Sequence, residues 1–212
     1  MKTNKLLSIA CASLLSTNVM ALDASSLKLS VYSIMVSTSS QCTSPVTLFS
    51  NTVPTEVDFL STPTLGSGNP ADATYNCVII KMSDIIKYTP SSSSGSCTGG
   101  IEYSADICRA DNSGTTLGPD ATSSPTVCTG NSSTPSADIV YLYLTTNSTA
   151  GTGGNTFLQP PNSTSTYGLN LAAPLVISGT ARSKFVVNAT GKVDGSSSSC
   201  GMNPPIFGFV KL

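Results

Sequence analysis

Residues 75–90 read YNCVIIKMSDIIKYTP, and this stretch decides the fold. Apolar side chains occupy both alternating sets of positions in its first half: Tyr75, Cys77 and Ile79 in one set, Val78, Ile80 and Met82 in the other. Successive side chains of a strand point to opposite faces, so a strand with this pattern is buried on both faces. The stretch therefore predicts a β-protein whose sheet is built around this strand.

Other segments show the alternation and the turn punctuation of strands. The segment LKLSVYSIMVS (27–37) divides into two sides, with Leu27, Leu29, Val31 and Ser33 opposite Lys28, Ser30 and Tyr32. Further strands are predicted at 45–49, at 138–146, twice within 174–193, and at 204–212. Ser178-Gly179-Thr180 separates the two strands within 174–193 and suits a tight hairpin turn. Residues 57–60 could form a single helical turn.

Seven or eight strands separated by turn clusters predict an all-β fold. The expected architecture is a single antiparallel β-sandwich of the immunoglobulin-like or prealbumin-like kind, with a partly open barrel as the alternative. The Ser/Gly/Pro-rich stretch at about 90–137 is longer than an ordinary connection, and we interpret it as an insertion in this domain.

The first 21 residues have the pattern of a secretory signal peptide. Lys2 and Lys5 precede an apolar run over 6–15, and Ala21 ends a small-residue cleavage site. The run is too short to cross a bilayer core of about 30 Å, so no transmembrane span is expected. A lipidated Cys11 is the alternative, although the usual Leu three residues before it is missing. We predict export to the periplasm, the cell surface or the medium, with one domain over 22–212.

The composition argues against a nucleic-acid partner. Removing Lys2 and Lys5 from the ten basic residues leaves eight against eleven acidic ones, so the net charge of residues 22–212 is about −3. The remaining Lys and Arg are scattered singly, whereas nucleic-acid binding needs a clustered basic patch. Serine and threonine are abundant, which favours strands joined by long polar loops.

Six cysteines remain after the signal peptide: Cys42, Cys77, Cys97, Cys108, Cys128 and Cys200. An even number in an exported chain predicts three disulfides, and six cysteines allow fifteen pairings. Three of them lie within 90–137 and cannot all pair with one another. At least one must therefore reach Cys42, Cys77 or Cys200, which staples the insertion to the rest of the domain and replaces missing apolar contacts.

The segments VTLFSN (46–51), VDFLSTPTLGSG (57–68), ATYNCVIIKMSD (73–84) and LVISGTARSKFVVN (175–188) carry a resemblance to a family. The chain resembles bacterial exported and lipoprotein domains of unknown function that have a prealbumin-like, or carboxypeptidase-regulatory-like, β-sandwich. The matching positions are Val57, Leu60, Leu65, Gly66, Tyr75 and Gly179. The chain departs from that family in its six cysteines and in Ala73, where a Gly usually precedes the Tyr. The resemblance implies a sandwich at the cell surface and no activity.

We predict no catalytic, cofactor-binding or metal-binding residue. The chain has no histidine, which closes the Ser-His-Asp and Cys-His routes to a nucleophile. Ser25-Ser26-Leu27-Lys28 matches S-x-x-K, but it lies at the start of a strand without its partner motifs. Acidic residues in one loop, Asp106, Asp111 and Asp120 with Asn112, could hold calcium, but they are better explained as turn formers.

Three functions follow, and the first is favoured. It is a non-catalytic bacterial protein, at the surface or in the periplasm, that acts in adhesion or in binding an unknown protein or glycan partner through its loops. The second is a fibre or pilus-like subunit that adds 27–37 or 204–212 to a neighbour's sheet, although we expect each to pair within its own chain. The third is a carbohydrate-binding or carbohydrate-active module.

Overall fold

The computed structural model describes residues 21–61, 70–109, 125–127, 139–147, 156–160, 167–179, 183–196 and 198–211. The signal peptide predicted at 1–21 lies outside these ranges except for Ala21. Within them the fold is all-β without an α-helix. No helix in this part of the chain is long and apolar enough to span a membrane.

The strands are β1 (Ala24–Ser37), β2 (Val46–Asp58), β3 (Ala73–Tyr75), β4 (Cys77–Pro90), β5 (Tyr103–Arg109), β6 (Pro125–Val127), β7 (Ile139–Thr145), β8 (Leu169–Asn170), β9 (Leu175–Ile177), β10 (Ser183–Asn188), β11 (Val193–Asp194), β12 (Gly201–Met202) and β13 (Ile206–Lys211).

Strand β4 is the centre of a main sheet of seven strands, as its sequence predicts. The sheet has the order β2-β1-β4-β5-β6, and β7 and β8 continue it on the side of β4 away from β1. One edge of β4 pairs with β1. The other edge pairs with β7 over Cys77–Ser83 and with β5 over Ile85–Tyr88. Alternate residues of β4 lie in two different clusters, Val78 and Ile80 in the main core and Cys77 and Ile79 in a smaller one.

The main sheet is mixed, so the expectation of a purely antiparallel arrangement is wrong. Strand β8 runs parallel to β7, with Leu169 beside Leu144 and Asn170 beside Thr145. The connection between these strands exceeds a dozen residues, which is long enough to return the chain in the same direction. The other strand pairs of the main sheet are antiparallel.

Three two-stranded sheets, β10-β13, β11-β12 and β3-β9, accompany the main sheet. The inner face of the main sheet belongs to one core cluster with the phenylalanines of β10 and β13. Phe185 is the hub, because its ring centroid lies 5.0 Å from that of Phe209 and 5.9 Å from those of Phe59 and Phe207. This aromatic group joins β10, β13 and the end of β2 to the main core.

The prediction of a hairpin around Ser178-Gly179-Thr180 is wrong. Strand β9 pairs with β3, and β10 pairs with β13, so the described residues of the two segments do not form a ladder with each other. The side chain of Asp72 accepts a hydrogen bond of 2.7 Å from the backbone N–H of Gly179, which has φ +52°. The end of β9 is therefore held at the β3 side.

Part of the predicted insertion belongs to the main sheet. Strand β5 pairs with β4, and β6 pairs with β5. Tyr103, Ala105 and Ile107 pack in or against the main core, whereas Ser104 between them is exposed. This short alternation is a strand signal that the surrounding polar residues conceal.

A β-bulge at Tyr32 changes the side-chain alternation of β1. Val31 pairs with Met82 and Ser33 pairs with Lys81, so two steps of β1 match one step of β4. Odd-numbered residues face the core up to Val31, but Ile34 and Val36 face it afterwards. The prediction that Ser33 lies on the same face of the strand as Val31 is therefore wrong, because the extra residue reverses the alternation of side chains between the two faces.

Two disulfides join distant parts of the chain, Cys42–Cys77 and Cys97–Cys200. The second confirms that a cysteine of the stretch 90–137 reaches the remainder of the domain. The turn that carries Cys97 lies tightly against residues 194–196, because a Cβ added to Gly95 would collide with the carbonyl oxygen of Gly195. The side chain of Cys108 and all of Cys128 lie outside the described residues, so their predicted pairing stays a prediction.

Candidate functional site

The outer face of the main sheet, which is the face turned away from the main core, carries three successive groups of side chains. A charged group lies beside the second half of β4. A central group consists of Tyr32, Lys81 and Tyr141. An apolar group lies at the end that begins with Cys77, and its members are Met35, Ile79, Tyr143 and the Cys42–Cys77 bond.

Residues 38–45, here called the pinned loop, lie over the apolar group. The bond between Cys42 and Cys77 fixes the loop to β4. Its backbone carbonyls also accept hydrogen bonds from side chains elsewhere in the chain: Asn76 to Thr38 (2.8 Å), Thr145 to Ser40 (2.6 Å) and Gln159 to Gln41 (3.0 Å). The three bonds come from three separate segments, which hold the loop in one position.

The pinned loop contains two residues in the left-handed backbone region. Cys42 has φ 60° and Ser44 has φ 48°, although neither is glycine. Such a conformation costs free energy for a residue with a Cβ atom and persists when the surroundings fix it. Here the disulfide and the hydrogen bonds of the loop supply that restraint.

A hollow of about 220 Å³ lies between the pinned loop and the outer face. Met35 and Ile79 of the outer face form its apolar floor, and Tyr141 also lines it. The polar residues of its rim are Thr43, Ser44 and Gln159. The full lining consists of Met35, Cys42, Thr43, Ser44, Pro45, Ile79, Tyr141 and Gln159.

Lys81 lies beside this hollow, between two tyrosine rings. It is the direct cross-strand partner of Tyr141 on β7 and of Ser33 on β1. Its ammonium nitrogen is 5.9 Å from the ring centroid of Tyr141 and 5.9 Å from that of Tyr32. Tyr32 is the extra residue of the β1 bulge, and bulges are a common means of redirecting a side chain beside a functional site. Among the described residues Lys81 forms no ion pair, in contrast to Lys28 and Lys87.

The charged group at the other end of the outer face is a square of two lysines and two glutamates. Lys28 lies 2.8 Å from Glu102, and Lys87 lies 2.7 Å from Glu56. The hydrogen bond from Lys87 holds the pKa of Glu56 below its ordinary value, and the hydrogen bond to Glu102 raises the pKa of Lys28. Both shifts favour the charged forms of Glu56 and Lys28.

The charged square also bears on the S-x-x-K match at Ser25 to Lys28. A lysine that activates a serine must lose its proton, but the partners of Lys28 stabilise the charged form. Ser25 donates its hydroxyl to the carbonyl of Thr89 instead. The structure does not bring the two residues together as a catalytic pair.

A second cavity, of about 330 Å³, lies on the inner side of the main sheet, between β4, β5 and the segment that leads into β13. Its walls are largely apolar, with Leu29, Ile86 and Phe207 among them. Beside it the hydroxyl of Tyr88 donates a 2.8 Å hydrogen bond to the carbonyl of Cys200, and burial raises the pKa of Tyr88 to about 12. This cavity carries no charged side chain of the described residues.

Of the residues considered for the calcium alternative, only Asp106 lies in the described ranges, where it pairs with Ile85 in the β4-β5 ladder. Asp111, Asn112 and Asp120 lie outside them. Within the described ranges, no group of three or more His, Cys, Asp or Glu side chains is placed to bind a metal. The calcium alternative therefore gains no support from this part of the chain.

Sequence reasoning missed the group formed by Tyr32, Lys81 and Tyr141. One signal was present, since Lys81 interrupts the apolar run of a strand that is otherwise buried on both faces. A lysine in such a strand has to reach solvent or a partner. Its tyrosine neighbours depend on the register of β1 and β7, which the sequence alone does not define.

Three comparisons with known proteins accompany this geometry: the scan against family models, the search of curated proteins and the search of solved structures each found no match. The candidate site is therefore argued from its residues alone.

Proposed function

We propose that this chain is a non-catalytic, exported bacterial protein, at the cell surface or in the periplasm, that binds a partner at the outer face of its main sheet. The partner is a glycan or protein of the cell envelope. The observation that carries this proposal is the hollow between the pinned loop and Tyr141, because its walls are held by a disulfide and by bonds from three segments. A concave, preformed, mostly apolar site with a few polar groups is the usual form of a binding site.

Export is supported by the chemistry of the cysteines. Disulfides persist in oxidising compartments and are rare in the cytosol, and two are present here. The signal-peptide pattern over 1–21 favours the same location. The finer architecture that we propose is a two-layer sandwich, with the main sheet as one layer and β10-β13 as part of the other. The resemblance to exported prealbumin-like domains agrees with that layering.

The two carboxylates that lie together in the charged square support the proposed absence of catalysis. Glycoside hydrolysis needs one protonated and one ionised carboxyl group. Glu56 and Glu102 share the same two lysine partners, and the hydrogen bond from Lys87 lowers the pKa of Glu56. The pair is better explained as a surface charge network than as an acid and a base.

The proposal is tested by sedimentation with isolated bacterial cell envelopes. The exported protein is expected to sediment with them. Thr43→Trp is expected to lose most of this binding, because Thr43 is exposed and lines the hollow, so the larger indole side chain would fill it. Ile101→Trp is the matched control, since Ile101 is an exposed residue remote from the pinned loop. Equal sedimentation of native protein and Thr43→Trp, or none by the native protein, would contradict the proposal.

A fibre subunit is the second candidate, and the edge strand β2 is the observation that favours it. Strand β1 is paired on both edges, with β2 and β4, and β13 is paired with β10. Strand β2 ends the main sheet, and among the described residues its outer edge has no strand partner. It is long and its Val53 is 72% exposed. Sedimentation velocity at high concentration decides: strand addition requires concentration-dependent polymers, and a single monomeric species eliminates it.

A further inference from the structure

We infer that the ligand of the hollow is a sugar ring that carries a carboxylate, of the hexuronic-acid class, and that Lys81 binds the carboxylate. This inference rests on the proposed function, because it assigns a ligand class to the same site. It follows from the size of the hollow, the character of its walls and the position of Lys81 beside it.

The size and the walls specify one ring with an apolar face. The volume of about 220 Å³ is below the roughly 300 to 1,000 Å³ of sites for drug-sized ligands, so the hollow admits a single ring rather than a chain. Met35 and Ile79 offer hydrocarbon contacts, and Tyr141 offers an aromatic surface. The C–H face of a pyranose suits such a surface, whereas a free inorganic anion gains nothing from it.

The rim supplies hydrogen-bonding groups for hydroxyls. Thr43 and Ser44 line the hollow, and the hydroxyl of each can both donate and accept a hydrogen bond. Gln159 also lines it, and its amide nitrogen is already fixed by the 3.0 Å bond to the carbonyl of Gln41. Apolar floor, aromatic wall and polar rim together match a molecule with one apolar face and a polar edge.

Lys81 adds the charge requirement. It follows Ile79 by two residues on the same face of β4, a spacing of about 7 Å, so it stands one row beyond the floor of the hollow. Tyr141 connects the hollow with Lys81. It lines the hollow, and its ring centroid lies 5.9 Å from the ammonium nitrogen. Since Lys81 has no carboxylate partner among the described residues, a ligand that stacks on Tyr141 can provide one.

The two tyrosine rings hold the ammonium group in place before a ligand binds. A cation within about 6 Å of a ring centroid is attracted by the ring face. Tyr32 and Tyr141 act on Lys81 from β1 and β7, on either side of β4. A preorganised cation loses less entropy on binding than a freely moving lysine.

The test compares glucuronate with glucose by nuclear magnetic resonance titration of the exported protein labelled with ¹⁵N. The two sugars differ only at C6, which is a carboxylate in glucuronate and a hydroxymethyl group in glucose. Glucuronate is expected to shift the amide signals of residues 42–45 and of Tyr141, and to bind at least about tenfold more tightly than glucose. Lys81→Gln should remove that preference and Lys81→Arg should retain it. Lys184→Gln is the matched control, because Lys184 is also a half-buried strand lysine without an ion pair among the described residues.

Equal affinities for the two sugars, a preference that persists in Lys81→Gln, or no binding of glucuronate would each overturn the inference. These outcomes are distinct from failure of the proposed function. If the protein sediments with envelopes in a manner sensitive to Thr43→Trp but does not prefer glucuronate, only the ligand class is wrong. If it does not sediment with envelopes at all, the function itself is wrong.

Discussion

Lys81 and Tyr141 are direct cross-strand partners in the centre of the main sheet, and the ammonium nitrogen lies 5.9 Å from the ring centroid. A lysine at such a position costs conformational entropy, because its long side chain has to be ordered. An interaction of its charged end with a partner can offset this cost. Among the described residues its neighbours are two aromatic rings and the hollow rather than a carboxylate. This relationship connects the fold to the proposed binding site.

Replacing Lys81 is expected to affect binding far more than stability. An exposed or half-buried cation beside an aromatic ring contributes about 0.5 to 1 kcal/mol, so Lys81→Met should lower the free energy of unfolding by no more than about 1 kcal/mol. Urea denaturation monitored by circular dichroism measures this. A much larger loss would show that Lys81 is a structural residue and would weaken its assignment to a ligand.

Loss of the two disulfides should destabilise the protein unequally. Cys97–Cys200 closes 103 residues, whereas Cys42–Cys77 closes 35. By the loop-entropy relation, the double variant Cys97→Ala/Cys200→Ala should lose about 4.7 kcal/mol and Cys42→Ala/Cys77→Ala about 3.8 kcal/mol. Denaturant titrations of both variants test the order. The reverse order would show that the pinned loop contributes native contacts beyond the entropy of its bond.

Peptide mass spectrometry of the unreduced exported protein should find a third bond, between Cys108 and Cys128. The structure pairs four of the six cysteines of residues 22–212. Since Cys108 and Cys128 are the two that remain, we expect them to pair with each other. In the ladder of β5 and β6, Cys108 is the backbone partner of Thr126, which precedes Cys128 by two residues. Two free thiols in the intact protein would contradict this prediction.

The charged square should make stability depend on pH in the acid range. The pKa of Glu56 is lowered in the folded state, chiefly by Lys87, from an ordinary value of 4.5. Its contribution is therefore complete above that value and is lost as the pH falls through the folded pKa. In Glu56→Gln the loss of thermal stability between neutral and acid pH should be smaller than in the native protein. Melting temperatures of both proteins across this range provide the measurement, and identical profiles would exclude a role for Glu56.

The sequence predicts the strands that are apolar and misses those that are polar. Strands β4 and β7 are correct because their residues are buried on both faces, which leaves an unambiguous pattern. Strand β5 was missed because the outer positions of this short strand are polar. The later half of β2 was missed for the same reason, since an edge strand needs few apolar residues.

Features that depend on register or on distant contacts were beyond prediction. The bulge at Tyr32 appears only when Val31 and Ser33 are placed against β4. The pairing of Cys97 with Cys200 is one of fifteen arrangements, and the alternation of residues does not choose among them. The hollow requires Gln159, Tyr141 and the pinned loop to meet, although they are far apart in the chain.

The most direct test of the binding site is amide hydrogen exchange, measured by mass spectrometry with and without isolated bacterial envelopes. If the partner occupies the hollow, exchange should slow in the pinned loop, residues 38–45, and stay unchanged along β2. Slower exchange along β2 with no effect in the pinned loop would contradict the account and favour strand addition at the sheet edge.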